Sequence, residues 1–210
     1  MPGRFMLQKF LKQAFDNGCK YAVLEVTSEG IKQHRHRFID FNTAVFTNLT
    51  PEHIESHGGF ERYKTAKGKL FQAGARTHII NLDDKNAEYF LQFPVAKKIG
   101  FTAKVFSGAG LSVTRAENVR LNPSGIQFLV DGQQFNLSLL GEFNVYNSLA
   151  AICVGLSQGV DLEICKRALE KAKGVPGRME AVLKEPFTVI VDYAHTPDAL
   201  EKVLNIKHPI

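Results

Sequence analysis

Three short runs, Tyr21-Ala-Val-Leu-Glu-Val26, Thr43-Ala-Val-Phe-Thr47 and Thr77 to Leu82, are apolar with little or no alternation. A strand with one wet face alternates apolar and polar residues. A continuous run suits a strand covered on both faces, as in a parallel sheet. Helical spacing lies between and around these runs. Phe5, Met6, Phe10, Leu11, Ala14 and Phe15 form one stripe, stopped at Gly18, and Phe60 to Gln72 and Asp84 to Phe93 carry two more. Thr50-Pro51 offers an N-cap followed by proline at a first helical position. The alternation predicts an α/β fold, a mostly parallel sheet flanked by helices.

Between Lys97 and Leu140 the pattern changes to short strands broken by Gly, Ser and Asn. Ile126–Val130 and Gln133–Leu137 flank Asp131-Gly132, a two-residue hairpin signal. This stretch predicts a small antiparallel subsheet on the α/β core. Helices are expected from Asn144 to Gln158, closed by Gly159, and from Asp161 to Lys173, closed by Gly174. Val175-Pro176-Gly177 reads as a hinge. Strands at Met179–Leu183 and Thr188–Val191 and a helix from Thr196-Pro197 to about Ile206 then begin a second α/β unit. The expected domains are 1–175 and 176–210.

Composition narrows the function classes. The 210 residues are 44% hydrophobic and 22% charged, ordinary values for a packed globular chain. The net charge of +5 comes from scattered lysines and arginines, so no stripe or tail points to nucleic acid. No apolar run is long enough to span a membrane, and the N-terminus lacks the apolar core of a signal peptide. Cys19, Cys153 and Cys165 are few, odd in number and far apart. They read as reduced thiols of a cytoplasmic protein.

Several residues break their local pattern. Glu25 places an acid near the end of an apolar run, and open parallel sheets bind ligands at the carboxyl ends of their strands. It could equally cap nearby amides. His53 follows the second run at the same expected edge, with His57 four residues on. A His-x-x-x-His pair can bind zinc, but Ile54 stands where a zinc protease needs Glu. Lys67 falls on the apolar stripe of Phe60, Tyr63, Leu70 and Phe71. Buried, its amine could act as a nucleophile, even toward CO2; otherwise it snorkels to water. Asp192 ends the run Val189–Val191 and could bind ribose or cap a turn. Arg178, after the hinge, could meet a phosphate or be a surface charge. Neither G-x-x-x-x-G-K-[ST] nor G-x-G-x-x-G occurs, so no phosphate cradle is legible.

The segments Glu25-Val-Thr-Ser28 with Gln33-His34-Arg35, Val45-Phe-Thr-Asn-Leu49 leading to Glu52-His53 and His57-Gly58, and Tyr63-Lys-Thr-Ala-Lys67 follow in order. Leu140-Gly-Glu-Phe-Asn144-Val-Tyr-Asn147, Gly177-Arg178-Met179-Glu180 and Val191-Asp-Tyr-Ala-His-Thr-Pro-Asp-Ala-Leu200 complete the series. Together they resemble the Mur ligase family, and within it the UDP-N-acetylmuramoyl-tripeptide synthetases. The resemblance spans nearly the whole chain. It implies a P-loop-type central domain without its P-loop, followed by the first βα unit of a Rossmann-like C-terminal domain.

What the resemblance implies for chemistry is ATP-dependent amide-bond formation between an amino acid and a UDP-N-acetylmuramoyl-peptide, through an acyl phosphate. Glu25 and His53 resemble ligands of the Mg²⁺ that accompanies ATP, and Lys67 resembles the family's carbamylated lysine, a third, oxygen-bearing ligand. Ser28, Gln33 and Arg35 resemble holders of the UDP-sugar-peptide, Arg35 on a phosphate. Asn144 and Asn147 resemble the adenine-side motif, with either able to touch the base. Arg178, Asp192 and His195 resemble residues that close over ATP, Asp192 on the ribose. Glu52, Thr27 and Glu29 depart from the family's usual residues. With the phosphate loop, a UDP-binding domain and most of a C-terminal domain outside the segment, an inactive fragment is expected. The alternatives are another Mur-like amide ligase of the folylpolyglutamate or cyanophycin synthetase type, a non-catalytic Mur-like module that binds a nucleotide-sugar or a partner, and a zinc hydrolase built on His34, His36, His53 and His57.

Overall fold

The protein is described here by a computed structural model covering residues 3–51, 57–108, 110–122, 124–183 and 185–204. In chain order its elements are α1 (Arg4–Asp16), α2 (Ser28–Lys32), β1 (Thr43–Phe46), α3 (Phe60–Gly68), β2 (Thr77–Asn81) and α4 (Ala87–Leu91). There follow β3 (Lys97–Thr102), β4 (Ser112–Arg115), β5 (Glu117–Asn122), β6 (Gly125–Val130) and β7 (Gln133–Leu137). The remainder is α5 (Phe143–Ser157), α6 (Leu162–Glu170), β8 (Glu180–Leu183), β9 (Val189–Val191) and α7 (Pro197–Leu204).

Strands β1 to β4 form one parallel sheet in sequence order. Every residue of β2 is buried, as its unbroken apolar run requires of a strand covered on both faces. Ala44, Phe46 and Ile80 face Tyr63, Phe71 and Phe90 of the α3–α4 layer. Ile79 and Phe101 face Val145, Leu149 and Ile152 of α5 on the other side, together with Phe128 and Phe135 of the antiparallel sheet β5-β6-β7. Asp131 and Gly132 both have positive φ, 48° and 77°, the backbone of a tight hairpin turn. Strands β8 and β9 pair antiparallel by themselves, and α7 follows with the Ala199 N–H donating to Thr196 Oγ1 at 3.3 Å.

Three expectations are corrected. The Tyr21–Val26 run is not a strand: it is irregular, with Tyr21 67% and Val23 94% exposed. β1 is the outermost strand of its sheet, and an apolar run becomes a strand only where a neighbour takes its backbone hydrogen bonds. The antiparallel region begins later than expected, because Lys97–Thr102 and Ser112–Arg115 extend the parallel sheet. Gly100, which looked like a break, allows Leu82 and Leu111 to close on β3; an added Cβ would stand 2.5 Å from Leu82 Cδ1. Helices α3, α4 and α6 are shorter than their periodicity suggested, and Asp161 holds the N-cap position of α6 without a side-chain capping bond. The stretch after Pro51 and the end of the last helix lie outside the described residues.

Candidate active site at the carboxyl edge of the parallel sheet

A small cleft opens where β1 ends. It is lined by Val45, Phe46, Thr47 and Asn48 from the strand end, Lys67 near the end of α3, Leu70 just after it, Val26, and Ile31 of α2, and encloses about 50 Å³. That is room for a few waters or one small hydrated group. Lys67 is half-buried there among aromatic and aliphatic side chains, as its place on an apolar stripe requires. Glu25, one residue before Val26, is exposed in an irregular segment rather than seated at the end of a buried strand. His53 lies outside the described residues.

The short helix α2 and the turn after it carry the residues expected to hold the sugar nucleotide. Thr27 caps α2 by accepting from the Gly30 N–H at 3.0 Å, and Ser28 in the first turn is buried. The Arg35 guanidinium donates twice to Gln33 Oε1, at 3.0 and 2.6 Å, so these two side chains share one position. Packing of α2 on α3 includes His57, whose Nε2 lies 3.5 Å from Glu29 Oε1 and whose ring stacks obliquely on Tyr63 at 5.5 Å. Among the described residues no group of three His, Cys, Asp or Glu side chains could hold a metal ion. His34 and His36 are 6.5 Å apart ring to ring, and burial, with His34, Arg37 and Lys69 nearby, lowers the His36 pKa.

At the start of α5, Asn144 and Asn147 are adjacent but not equivalent. Asn144 donates to Leu140 O at 2.8 Å and accepts from Asn147 Nδ2 at 3.0 Å, so its amide is used to anchor the helix. Asn147 is exposed. The second unit gathers its three candidates into one cluster. Asp192 accepts from the Met179 N–H at 2.8 Å and the Ala194 N–H at 2.7 Å, which is the turn-holding role foreseen beside the ribose one. The Arg178 guanidinium stacks over the Tyr193 ring at 4.8 Å, and Tyr193 meets His195 edge-on at 4.8 Å.

The sequence reading missed a polar network along the same sheet edge. Asn81 donates to Thr47 O at 2.7 Å, and Asp84 accepts from the Leu49 N–H at 2.9 Å. Asp83 accepts from Thr102 Oγ1 at 2.5 Å and from the Ala103 N–H at 2.8 Å. Burial first, and the nearby Asp83 charge second, push the Tyr146 pKa far up, so the phenol stays protonated. The signal was available: two successive acids directly after a buried strand.

A parallel sheet covered on both faces, with a lysine-bearing cleft at its carboxyl edge, defines an α/β domain of the class that uses the ends of its strands for binding. Residues 1–155 match the Mur ligase middle domain, and the chain belongs to the Mur ligase family. It is 40% identical, over 97% of its length, to the UDP-N-acetylmuramoyl-L-alanyl-D-glutamate--2,6-diaminopimelate ligase of Halalkalibacterium halodurans. It is 38% identical, again over 97%, to the UDP-N-acetylmuramyl-tripeptide synthetase of Roseiflexus sp.. The chain spans 43% of each of these curated relatives, less than half their length. A solved UDP-N-acetylmuramoyl-L-alanyl-D-glutamate--2,6-diaminopimelate ligase superposes with a TM-score of 0.83 at 31% identity, over 98% of this chain and 43% of that one. A pseudomurein peptide ligase type C from Methanothermus fervidus shares the fold, with a TM-score of 0.68 at 20% identity over 88% of this chain and 44% of that one.

Proposed function

We propose that the chain is the middle part of an ATP-dependent ligase that joins an amino acid to a UDP-N-acetylmuramoyl-peptide in peptidoglycan precursor synthesis. The observation that carries this reading is Lys67, held in the cleft at the end of β1 within a chain of this family. A substrate carboxylate attacks the γ-phosphoryl group of ATP, releasing ADP and forming an acyl phosphate. The amine of the incoming amino acid adds to that carbonyl, and phosphate leaves with the amide formed and a proton released. Positioning and charge neutralisation carry most of the catalysis.

The chain's residues divide this work. A carbamate on Lys67 presents oxygens where an amine presents none, and with Glu25 and His53 makes the hard, mostly oxygen donor set that Mg²⁺ prefers. The exposed Glu25 is free of a competing burial cost in that role. Bound there, the ion would neutralise phosphate charge. The joined Gln33 and Arg35 side chains and the buried Ser28 hold the sugar nucleotide. Asn147 reads the adenine while Asn144 anchors its helix. Arg178, Asp192 and His195 close over ATP from a second domain, 176–210, after the central domain, 1–175. The compartment that fits this reading is the cytoplasm, and no helix among the described residues is long and apolar enough to cross a membrane.

The test joins this chain to the flanking regions of the Halalkalibacterium halodurans relative at the matched boundaries. ADP release is then measured with UDP-N-acetylmuramoyl-dipeptide and a panel of amino acids. Release that requires both the peptide and one amino acid is expected. Lys67→Ala should reduce it by at least about a hundredfold, and added bicarbonate should not restore it. A folded chimera that binds ATP without substrate-dependent ADP release overturns the reading.

A further inference from the structure

Strand β1 is the outer strand of its sheet, and its ladder with β2 ends at the Phe46–Ile80 pair. Beyond that pair, side chains from the exit of β2 take over the pairing. The Asn81 amide donates to Thr47 O at 2.7 Å, and Asp84 Oδ2 accepts from the Leu49 N–H at 2.9 Å. The Asn86 amide reaches Leu49 O at 3.4 Å. Asn86 also fixes the carboxylate, its N–H and its amide donating to Asp84 Oδ1 at 2.8 and 3.0 Å. Leu49 is 2% exposed, and Asn81 and Asn86 are buried, so water is a poor substitute for these bonds. The backbone held in this way is the cleft wall: Thr47 and Asn48 line the same cleft as Lys67.

We propose that Asp84 is a positioning residue for the Lys67 site: together with Asn81 it fixes the course of Thr47–Leu49, and so sets the cleft wall against Lys67. This rests on the reading of Lys67 as a residue of the active site. A carboxylate can serve the three donors that meet at Asp84, one from Leu49 and two from Asn86. An asparagine has one acceptor oxygen, and its own N–H groups would face either the Leu49 N–H or those of Asn86. The cleft encloses only about 50 Å³, so a small drift of its wall changes what Lys67 can hold there.

The test has two readouts. In this chain, amide hydrogen exchange should find the Leu49 N–H protected, and Asp84→Asn should speed its exchange by about tenfold. In the chimera, a double-mutant cycle measures kcat for ADP release at saturating substrates. Asp84→Asn should lower kcat by about tenfold, and should lower it no further in the Lys67→Ala background. Asn81→Asp removes the donor to Thr47 O, keeps the acceptor for the Asp83 N–H, and should behave alike; it carries the cycle if Asp84→Asn does not fold. Gly132→Ala, in the β6–β7 turn, should lower the melting temperature and leave kcat unchanged. Unchanged Leu49 exchange in Asp84→Asn, parental kcat in both variants, or equal losses in the two Lys67 backgrounds overturn the positioning role while the reading of Lys67 stands. If Lys67→Ala turns over as the parent does, or the parent chimera shows no substrate-dependent release, the underlying reading falls and takes this proposal with it.

Discussion

His57 Nε2 lies 3.5 Å from Glu29 Oε1, and the His57 side chain is only 5% exposed. The pair ties α2, which carries Ser28, to the start of α3, which carries Lys67. Among the described residues no hydrogen bond satisfies His57 Nε2, and the Glu29 carboxylate is the charge that faces it at close range. Lys32 also approaches Glu29, at 4.0 Å, which makes single substitutions ambiguous. A double-mutant cycle on Glu29→Ala and His57→Ala, followed by urea unfolding, should give a coupling of about 0.5–1 kcal/mol. Additive losses would mean that the two side chains do not interact in solution.

His78 is fully buried in the central strand β2, edge-on to Phe71 at 4.9 Å, with neither ring nitrogen at good hydrogen-bond geometry. Burial lowers its pKa below 6.5, Lys98 lowers it further, and a weak opposing pull from the Phe71 backbone does not offset them. Below pH 6.5 the unfolded chain therefore takes up a proton that the native state refuses. Stability is unaffected above that pH and falls as the pH drops from it toward the lowered native value. The slope contributed by this one group cannot exceed about 1.4 kcal/mol per pH unit. His36, also lowered, acts in the same direction. Denaturant unfolding at several pH values should show a shallower acid loss in His78→Leu and a shallower one still with His36→Gln added. An unchanged slope in His78→Leu would show that the buried ring is protonated in the native state.

The sheet was legible from sequence where burial alone decides it. Thr77–Asn81 is covered on both faces and reads as apolar throughout. Tyr21–Val26 carries the same signal and is irregular, because pairing depends on a neighbour that periodicity cannot name. Gly100 read as a break because a glycine's packing reason, the approach of Leu82, is tertiary. At the site, Lys67 stood out as a charge on an apolar stripe, and it is half-buried where it lines the cleft. That Asn144 anchors its helix while Asn147 is left exposed was closed to sequence, since it turns on which amide Leu140 O takes up. Asp83 went unread because the apolar run ended before it, although its position obeys the rule applied to Glu25.

The hairpin glycines should differ sharply when replaced. Gly125 opens β6 with φ of 151°, and a Cβ there would fall 1.9 Å from the Leu137 carbonyl oxygen across the β6–β7 ladder. That backbone cannot yield without breaking the pairing that buries Ile126 and Leu137. Gly132 in the turn has φ of 77° and nothing within 4 Å of an added Cβ. Gly125→Ala should cost about 3 kcal/mol or more, against about 1 kcal/mol for Gly132→Ala, where only the left-handed conformation is penalised. Thermal melts of the two variants check the order; equal losses would mean that β6 and β7 are not paired in this register.

The three thiols should separate by reactivity. Cys19 is exposed, whereas Cys153 and Cys165 are buried. Burial pushes the Cys153 thiol up to about 11, its hydrogen bond with Thr114 pulling the other way without undoing the shift, and burial also raises Cys165. The attacking species is the thiolate, and at pH 8 Cys153 holds on the order of one part in a thousand of it, behind a packed helix face. Ellman's reagent at pH 8 should therefore release one fast equivalent from the native chain and the other two only on the timescale of unfolding. Cys19→Ser should abolish the fast phase, and 6 M guanidinium should expose all three at once. Three fast equivalents from the native chain would mean that α5 and α6, which bury Cys153 and Cys165, are not docked on the sheet.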